Sequence, residues 1–160
     1  MRTALVIAVP EAEPVVGRLR SLYDDADGTG IPAHVTLLFP FGDRDDGLVD
    51  LFAQFEPFEF ALTETRRWPD VLWLTPEPAQ PFIRLTLAIM ERYPEYPLYD
   101  GMHDRVVPHL TVAYHHDVTR DVDIELRHRL PIEARASEVV QLEEYEPDRW
   151  RERRRFALGR

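Results

Sequence analysis

The stretch "PAHVTLLFPF", Pro32 to Phe41, decides how this chain reads, because a near equivalent, "VPHLTVAY", returns at Val107 to Tyr114. Each is an apolar run bearing one histidine and, two positions on, one threonine. Residues two apart in a strand project from the same face. His34, Thr36 and Leu38 are therefore expected on one face, with Val35, Leu37 and Phe39 on the other. Likewise His109, Thr111 and Ala113 are expected to oppose Leu110, Val112 and Tyr114. Each strand sets an imidazole beside a hydroxyl on an otherwise apolar scaffold. Burying two such pairs without partners costs stability in both places. One polar ligand shared between the strands satisfies both.

Working outward, "TALVIAVP" (Thr3 to Pro10) reads as a buried strand. Val15, Val16, Leu19, Leu22 and Tyr23 follow at helical spacing, with acidic residues at the helix start where its dipole favours them. The motif strand runs from about Ala33 to Phe39 and is closed by Pro40. Leu48, Leu51, Phe52 and Phe55 predict a short second helix. "FEFALTETRRW" alternates Phe58, Phe60 and Leu62 against Glu59 and Thr63, the period of a half-buried strand, and "PDVLWLTP" is its hairpin partner. Phe82, Ile83, Leu85, Ala88, Ile89 and Arg92 predict a third helix from about Gln80 to Tyr93. A long loop rich in Pro and Tyr precedes the second motif strand, and loops of that length often border sites. Val118, Val122, Leu126 and Leu130 suggest a weak, short helix. "IEARASEVVQLEEYE" and "DRWRERRRFAL" are expected as two closing strands joined at Glu146-Pro147-Asp148. The order β α β α β β α β α β β makes the second half a loose repeat of the first. One α+β domain over residues 1–160, with two lobes, is the economical reading.

Composition narrows the chemistry. A chain of 160 residues buries a real core without disulfides or metal. It has no cysteine, which excludes disulfides, thiolate catalysis and thiolate-ligated zinc. The apolar run before Pro10 is too short for a membrane span or a usual signal-peptide core, so a cytoplasmic protein with no membrane partner is expected. The net charge is −10, and every Lys/Arg position is an arginine. Such a chain is not expected to coat long nucleic acid through its general field. A small phosphorylated ligand or an RNA end held at a local site remains compatible, since arginine forks onto phosphate oxygens.

The two motifs suit phosphate chemistry. Imidazole titrates near neutrality, with an unperturbed pKa of about 6.5. Two imidazoles on opposite sides of a phosphorus can hold different protonation states. One then takes a proton from an attacking water or hydroxyl while the other protonates the departing oxygen. Threonine hydroxyls donate to the non-bridging oxygens, and rigid strands suit that positioning. No metal and no other cofactor is expected. One H-x-T is uninformative on its own. Two of them, each in an apolar strand, preceded closely by proline and followed by an aromatic, are far more specific. The competing reading is a pair of satisfied core histidines.

These motifs resemble the paired H-φ-[ST]-φ motifs of the 2H phosphoesterase superfamily, which includes LigT-like 2′-5′ RNA ligases and cyclic phosphodiesterases. The resemblance spans nearly the whole chain in length, element order and motif placement. It implies a bilobal LigT-like fold, two pseudo-twofold-related antiparallel sheets flanked by helices, with a central cleft lined by both motifs. It implies metal-independent hydrolysis of a 2′,3′-cyclic phosphate or related phosphodiester on a nucleotide or RNA end. Carried over by position, His34 and His109 are the catalytic pair and Thr36 and Thr111 bind phosphate. For cyclic phosphate opening, the resemblance suggests His109 as base and His34 as acid. A monomer is expected. The alternatives are an ATP-independent 2′-5′ RNA ligase, or a binding module that holds a phosphorylated nucleotide without turnover.

Phe39, Phe41 and Tyr114 end the motif strands and could stack on a base or pack the rim. Tyr96, Tyr99, His103 and Arg105 lie in the loop beside the second motif and are candidate substrate contacts. A metal reading from His103, His109, His115 and His116 needs a loop to fold back and is set aside. The run "RWRERRRF" invites a nucleic-acid reading, but Glu143, Glu144 and Glu146 can face Arg151, Arg153 and Arg155 across a hairpin. Charged residues also keep an edge strand from pairing with other molecules.

Overall fold

All residues of the first strand, β1 (Thr3–Ala8), are buried except the last, which is half-buried. A run with no polar alternation thus becomes a strand covered on both faces. Leu5 and Ile7 turn to the main core, and Ala4 and Val6 to a second, smaller apolar cluster. A 3₁₀ turn at Pro10–Ala12 leads into α1 (Glu13–Tyr23). There follow β2 (His34–Phe41), α2 (Leu48–Ala53), β3 (Phe58–Trp68), β4 (Val71–Glu77), α3 (Gln80–Arg92) and β5 (Leu110–Tyr114). The chain closes with α4 (Arg120–His128), β6 (Ile132–Ala136), β7 (Glu138–Glu146) and β8 (Arg149–Ala157). This computed structural model describes residues 1–23, 30–101, 105–114 and 120–159, without the side chains of Tyr23 and Tyr114.

The strands form two four-stranded sheets with orders β2-β1-β7-β8 and β5-β4-β3-β6, all pairs antiparallel. This is the bilobal α+β architecture expected from the motifs. In each sheet the motif strand is an edge strand, and the two motif strands touch each other where the lobes meet. The unit β1-α1-β2 recurs as β4-α3-β5. Its helices cross over: α1 packs on β5 and α3 on β2, so each motif strand is backed by the other unit's helix. Helix α3 buries Phe82, Leu85, Thr86 and Ile89, a stripe at helical spacing. Residues of both sheets and all four helices share the main core.

Several expectations need correction. The first motif strand continues through Pro40 to Phe41 instead of stopping at Pro40. On an edge strand, the missing N–H of proline can face away from the sheet without losing a ladder bond. The segment from Ile132 to Glu146 is two strands broken at Ser137. Strand β6 pairs with β3 in one sheet and β7 with β1 in the other. The lobes are therefore not the two halves of the sequence: one sheet takes β1, β2, β7 and β8, and the other the contiguous segment β3 to β6. In α1, Leu22 is 58% exposed, and the fully buried long side chain of that helix is Arg20, at 1%.

The alternation expected in both motif strands also fails, in the same way in each. Val6 pairs with Thr36 but Leu5 with Leu38, so β2 carries an extra residue just after its threonine. Trp73 pairs with Thr111 but Leu72 with Ala113, so β5 does the same. A bulge of this kind sends two successive side chains to one face. Leu37 and Leu38, and likewise Val112 and Ala113, all lie in the main core. Beyond the first bulge Phe39 joins the smaller cluster with Val6 and Ala8, the cross-strand partners of Thr36 and His34. His34, Thr36 and Phe39 therefore share a face.

Candidate active site

Both histidines are held by the same local device. The Nδ1 of His34 lies 2.7 Å from the carbonyl oxygen of Pro32, and the Nδ1 of His109 lies 2.7 Å from that of Val107. A carbonyl only accepts, so each Nδ1 carries the proton and donates it. In the neutral ring this leaves each Nε2 as the lone-pair nitrogen. In each motif the acceptor is the residue two positions before the histidine.

A cavity of about 400 Å³ lies where the motif strands meet. Thr36, His109 and Thr111 line it together with Trp68, Val71, Tyr99, Arg105 and the segment Val106 to Pro108. His34 is not itself in that wall; it sits one strand step from Thr36 on the same face, half-buried. The two imidazoles are close enough to feel each other electrostatically. A cavity of this size suits a small organic ligand. Among its polar groups, an imidazole, two threonine hydroxyls and a guanidinium are of the kinds that hold and protonate phosphate oxygens.

The imidazoles sit in unlike surroundings. Burial pushes the His34 pKa down to about 4, against the opposing pull of its bond to Pro32, and the charges of Arg20 and His109 lower it further. His109 instead meets two indoles edge-to-face: the Trp68 ring at 4.8 Å and the Trp73 ring at 5.7 Å between centroids. The two indoles pack on each other at 4.6 Å.

Of the side chains singled out from sequence, the structure gathers Thr36, Tyr99, Arg105, His109 and Thr111 around one cavity, with His34 beside it. Tyr99 reaches it from a turn, Leu98–Gly101, in which Tyr99 (φ 48°), Asp100 (φ 55°) and Gly101 (φ 79°) are successively left-handed. Phe39 shares the His34 face but packs edge-on against Trp150 at 5.9 Å, beneath the Arg2 guanidinium. Phe41 is 1% exposed and packs on Tyr93 and Tyr96, which places Phe41 in the core and Tyr96 against it. The backbone of Tyr114 pairs with Val71, a residue of the cavity wall, and its side chain lies outside the described residues, as do His103, His115 and His116. Among the described residues no three His, Asp or Glu side chains are grouped to hold a metal ion. The closing hairpin is laced as expected by Arg151 with Glu143 at 2.7 Å, while Glu144 turns to Arg2 at 2.9 Å.

Sequence reading missed Trp68, Trp73 and Arg20. Trp73 becomes visible only through strand pairing, since it sits opposite Thr111. Trp68 closes β3 just before the hairpin, where an exposed tryptophan was a usable signal.

A sequence profile for the 2′-5′ RNA ligase superfamily matches residues 8–148 of this chain. Solved structures of similar fold include E. coli LigT complexed with 3′-AMP, at 17% identity and TM-score 0.66 over 99% of this chain and 98% of that one. TT0787 of Thermus thermophilus matches at 19% identity and TM-score 0.62 over 99% of both chains. A structure described as a phosphoesterase matches at 18% and 0.65, again over 99% of both. At these identities the likeness is one of fold. No curated protein matches the sequence.

Proposed function

The chain belongs to the 2′-5′ RNA ligase superfamily, and from that footing we propose that it is a metal-independent 2H phosphoesterase that hydrolyses a 2′,3′-cyclic phosphate on a nucleotide or RNA end. The observation that carries this reading is the matched pair of Nδ1–H bonds to Pro32 and Val107. The His109 imidazole lines a cavity that also holds Thr36 and Thr111, and the His34 imidazole lies beside it on the Thr36 face. A binding module has no need of two acid–base groups, whereas acid–base catalysis at phosphorus uses both.

In this reading the phosphate sits between the motif strands, with its non-bridging oxygens on the hydroxyls of Thr36 and Thr111. Arg105 adds a guanidinium on the same side. One Nε2 takes a proton from the attacking water as its oxygen bonds to phosphorus. The other Nε2–H gives a proton to the ribose oxygen whose bond to phosphorus breaks. The products are a phosphomonoester and a free hydroxyl, with the proton count unchanged. Trp68 at the rim offers an aromatic face for a base. The net charge of −10 favours a small or terminal substrate over a long RNA track.

The test is phosphorus NMR of 2′,3′-cyclic nucleotides incubated with the protein in EDTA. Conversion to a single monophosphate isomer is the expected result. An unchanged cyclic phosphate across all four bases, with the protein folded, would refute the assignment.

A further inference from the structure

The backbone just before His34 is gripped from α1. Arg20 Nη2 donates to the carbonyl of Ile31 at 2.9 Å, and Glu13 Oε1 accepts the N–H of Ala33 at 2.7 Å. Between those two held groups lies the Pro32 carbonyl, the acceptor of the His34 Nδ1–H. Arg20 and Glu13 face each other at 3.8 Å, so the two grips are tied together. Burying a guanidinium to 1% exposure carries a large desolvation penalty. Its position in the helix is one that an aliphatic residue would fill at no electrostatic cost. The second motif has a different setting, two indoles against His109.

We infer that Arg20 and Glu13 form a positioning pair that fixes the Pro32 carbonyl and through it holds His34 in the tautomer whose Nε2 serves the reaction. The inference rests on the two-histidine reading of the site. Its physical content is twofold. Geometrically, fixing Ile31 and Ala33 fixes the Pro32 carbonyl, which fixes the tautomer that exposes the Nε2 lone pair. Electrostatically, burial disfavours the imidazolium and the nearby Arg20 charge opposes it further, so the ring waits unprotonated. Among the described residues the charged groups acting on His34 are Arg20 from α1 and His109 just before β5, while Glu13 moderates Arg20. Its cross-strand neighbour on β1, Ala8, is uncharged.

The test is a carbon and nitrogen NMR titration of both histidines in the wild type, Arg20→Met, Arg20→Lys and Glu13→Gln, alongside kcat/KM against pH. In the wild type, His34 is expected to titrate well below the ordinary histidine value, with the proton of the neutral ring on Nδ1. Arg20→Met should move that titration upward. Arg20→Lys should leave it low, and Glu13→Gln should move it further down, because the carboxylate no longer offsets the guanidinium. The acid limb of kcat/KM should follow His34 in each variant. Should Arg20→Met fail to fold, the Lys and Gln variants and the wild-type tautomer still decide the matter. A wild-type His34 that titrates normally, or that ignores both charge changes, overturns the inference. So does an acid limb that follows His109. Absence of any turnover would instead strike the phosphoesterase reading, and the NMR arm would still report on the pair.

Discussion

Each imidazole donates Nδ1–H to a backbone carbonyl two residues upstream, and the consequences differ because the surroundings differ. Burial lowers the His34 pKa to about 4, below the ordinary value of 6.5. The folded state therefore takes up the His34 proton later than the unfolded chain does as pH falls. Stability is lost from pH 6.5 downward until the folded pKa is passed, and the loss is then complete. His34→Gln should erase that term. The stability gap between variant and wild type, read from urea unfolding at about pH 7 and about pH 4.5, should shift toward the variant at the lower pH. A pH-independent gap would place His34 in ordinary solvent. The same low pKa sets kinetics: kcat/KM, which reports the free enzyme, should hold on its acid side to near pH 4. Thr36→Val and Thr111→Val should each lower kcat/KM by about 10- to 100-fold, the worth of one hydrogen bond to a charged oxygen. At this scale the sequence was informative. Two histidines and two threonines stood out because polar residues in apolar strands demand a reason. Arg20 did not, because a charge inside an apolar helical stripe reads from sequence as an interruption of the stripe.

The motif strands act as elements through their bulges. Without the extra residue after Thr36, Phe39 would turn into the main core and Leu38 out of it. The bulge lets a strand carry its histidine and threonine on one face and still commit Leu37 and Leu38 together to the core. Its carbonyl is held by Thr86 of α3, whose hydroxyl donates to Leu37 O at 2.8 Å from a fully buried position. Thr86→Val removes that donor at nearly constant volume. It should cost about 1–3 kcal/mol in urea unfolding and lower the affinity for substrate by loosening Thr36. An unperturbed variant would show that water or relaxation serves the bulge equally well. The bulges could not be read from sequence, because Leu-Leu and Val-Ala are apolar in either register. Hydropathy reports which residues want burial but not which pairing delivers it. The break at Ser137 was more accessible. Ile132–Ala136 alternates buried with exposed, whereas Val139 to Leu142 is buried throughout, and that change of pattern marks a change of sheet.

At the scale of the whole molecule, the site exists only because two sheets bring their edge strands together. One sheet is assembled from both ends of the chain, and the crossed helices α1 and α3 back the opposite motif strands. The architecture was legible as a class, since the strand and helix order and the repeated motif point to two lobes. The partition was not, because local patterning can mark where β7 leaves its neighbour β6 but not that it returns to β1. A shared core predicts cooperative loss of both lobes. Unfolding followed through Trp150 on one sheet and through Trp68 and Trp73 on the other should give coincident transitions. Separated midpoints would show lobes that fold independently. The central claim is that His34 and His109 act together on one phosphorus. Its most direct measurement is turnover of a 2′,3′-cyclic nucleotide in EDTA by His34→Ala, His109→Ala and the double variant, with circular dichroism to verify folding. Each single variant should lose about 10²- to 10⁴-fold, and the double variant little more than the worse single. Wild-type turnover in either folded single variant would contradict the account.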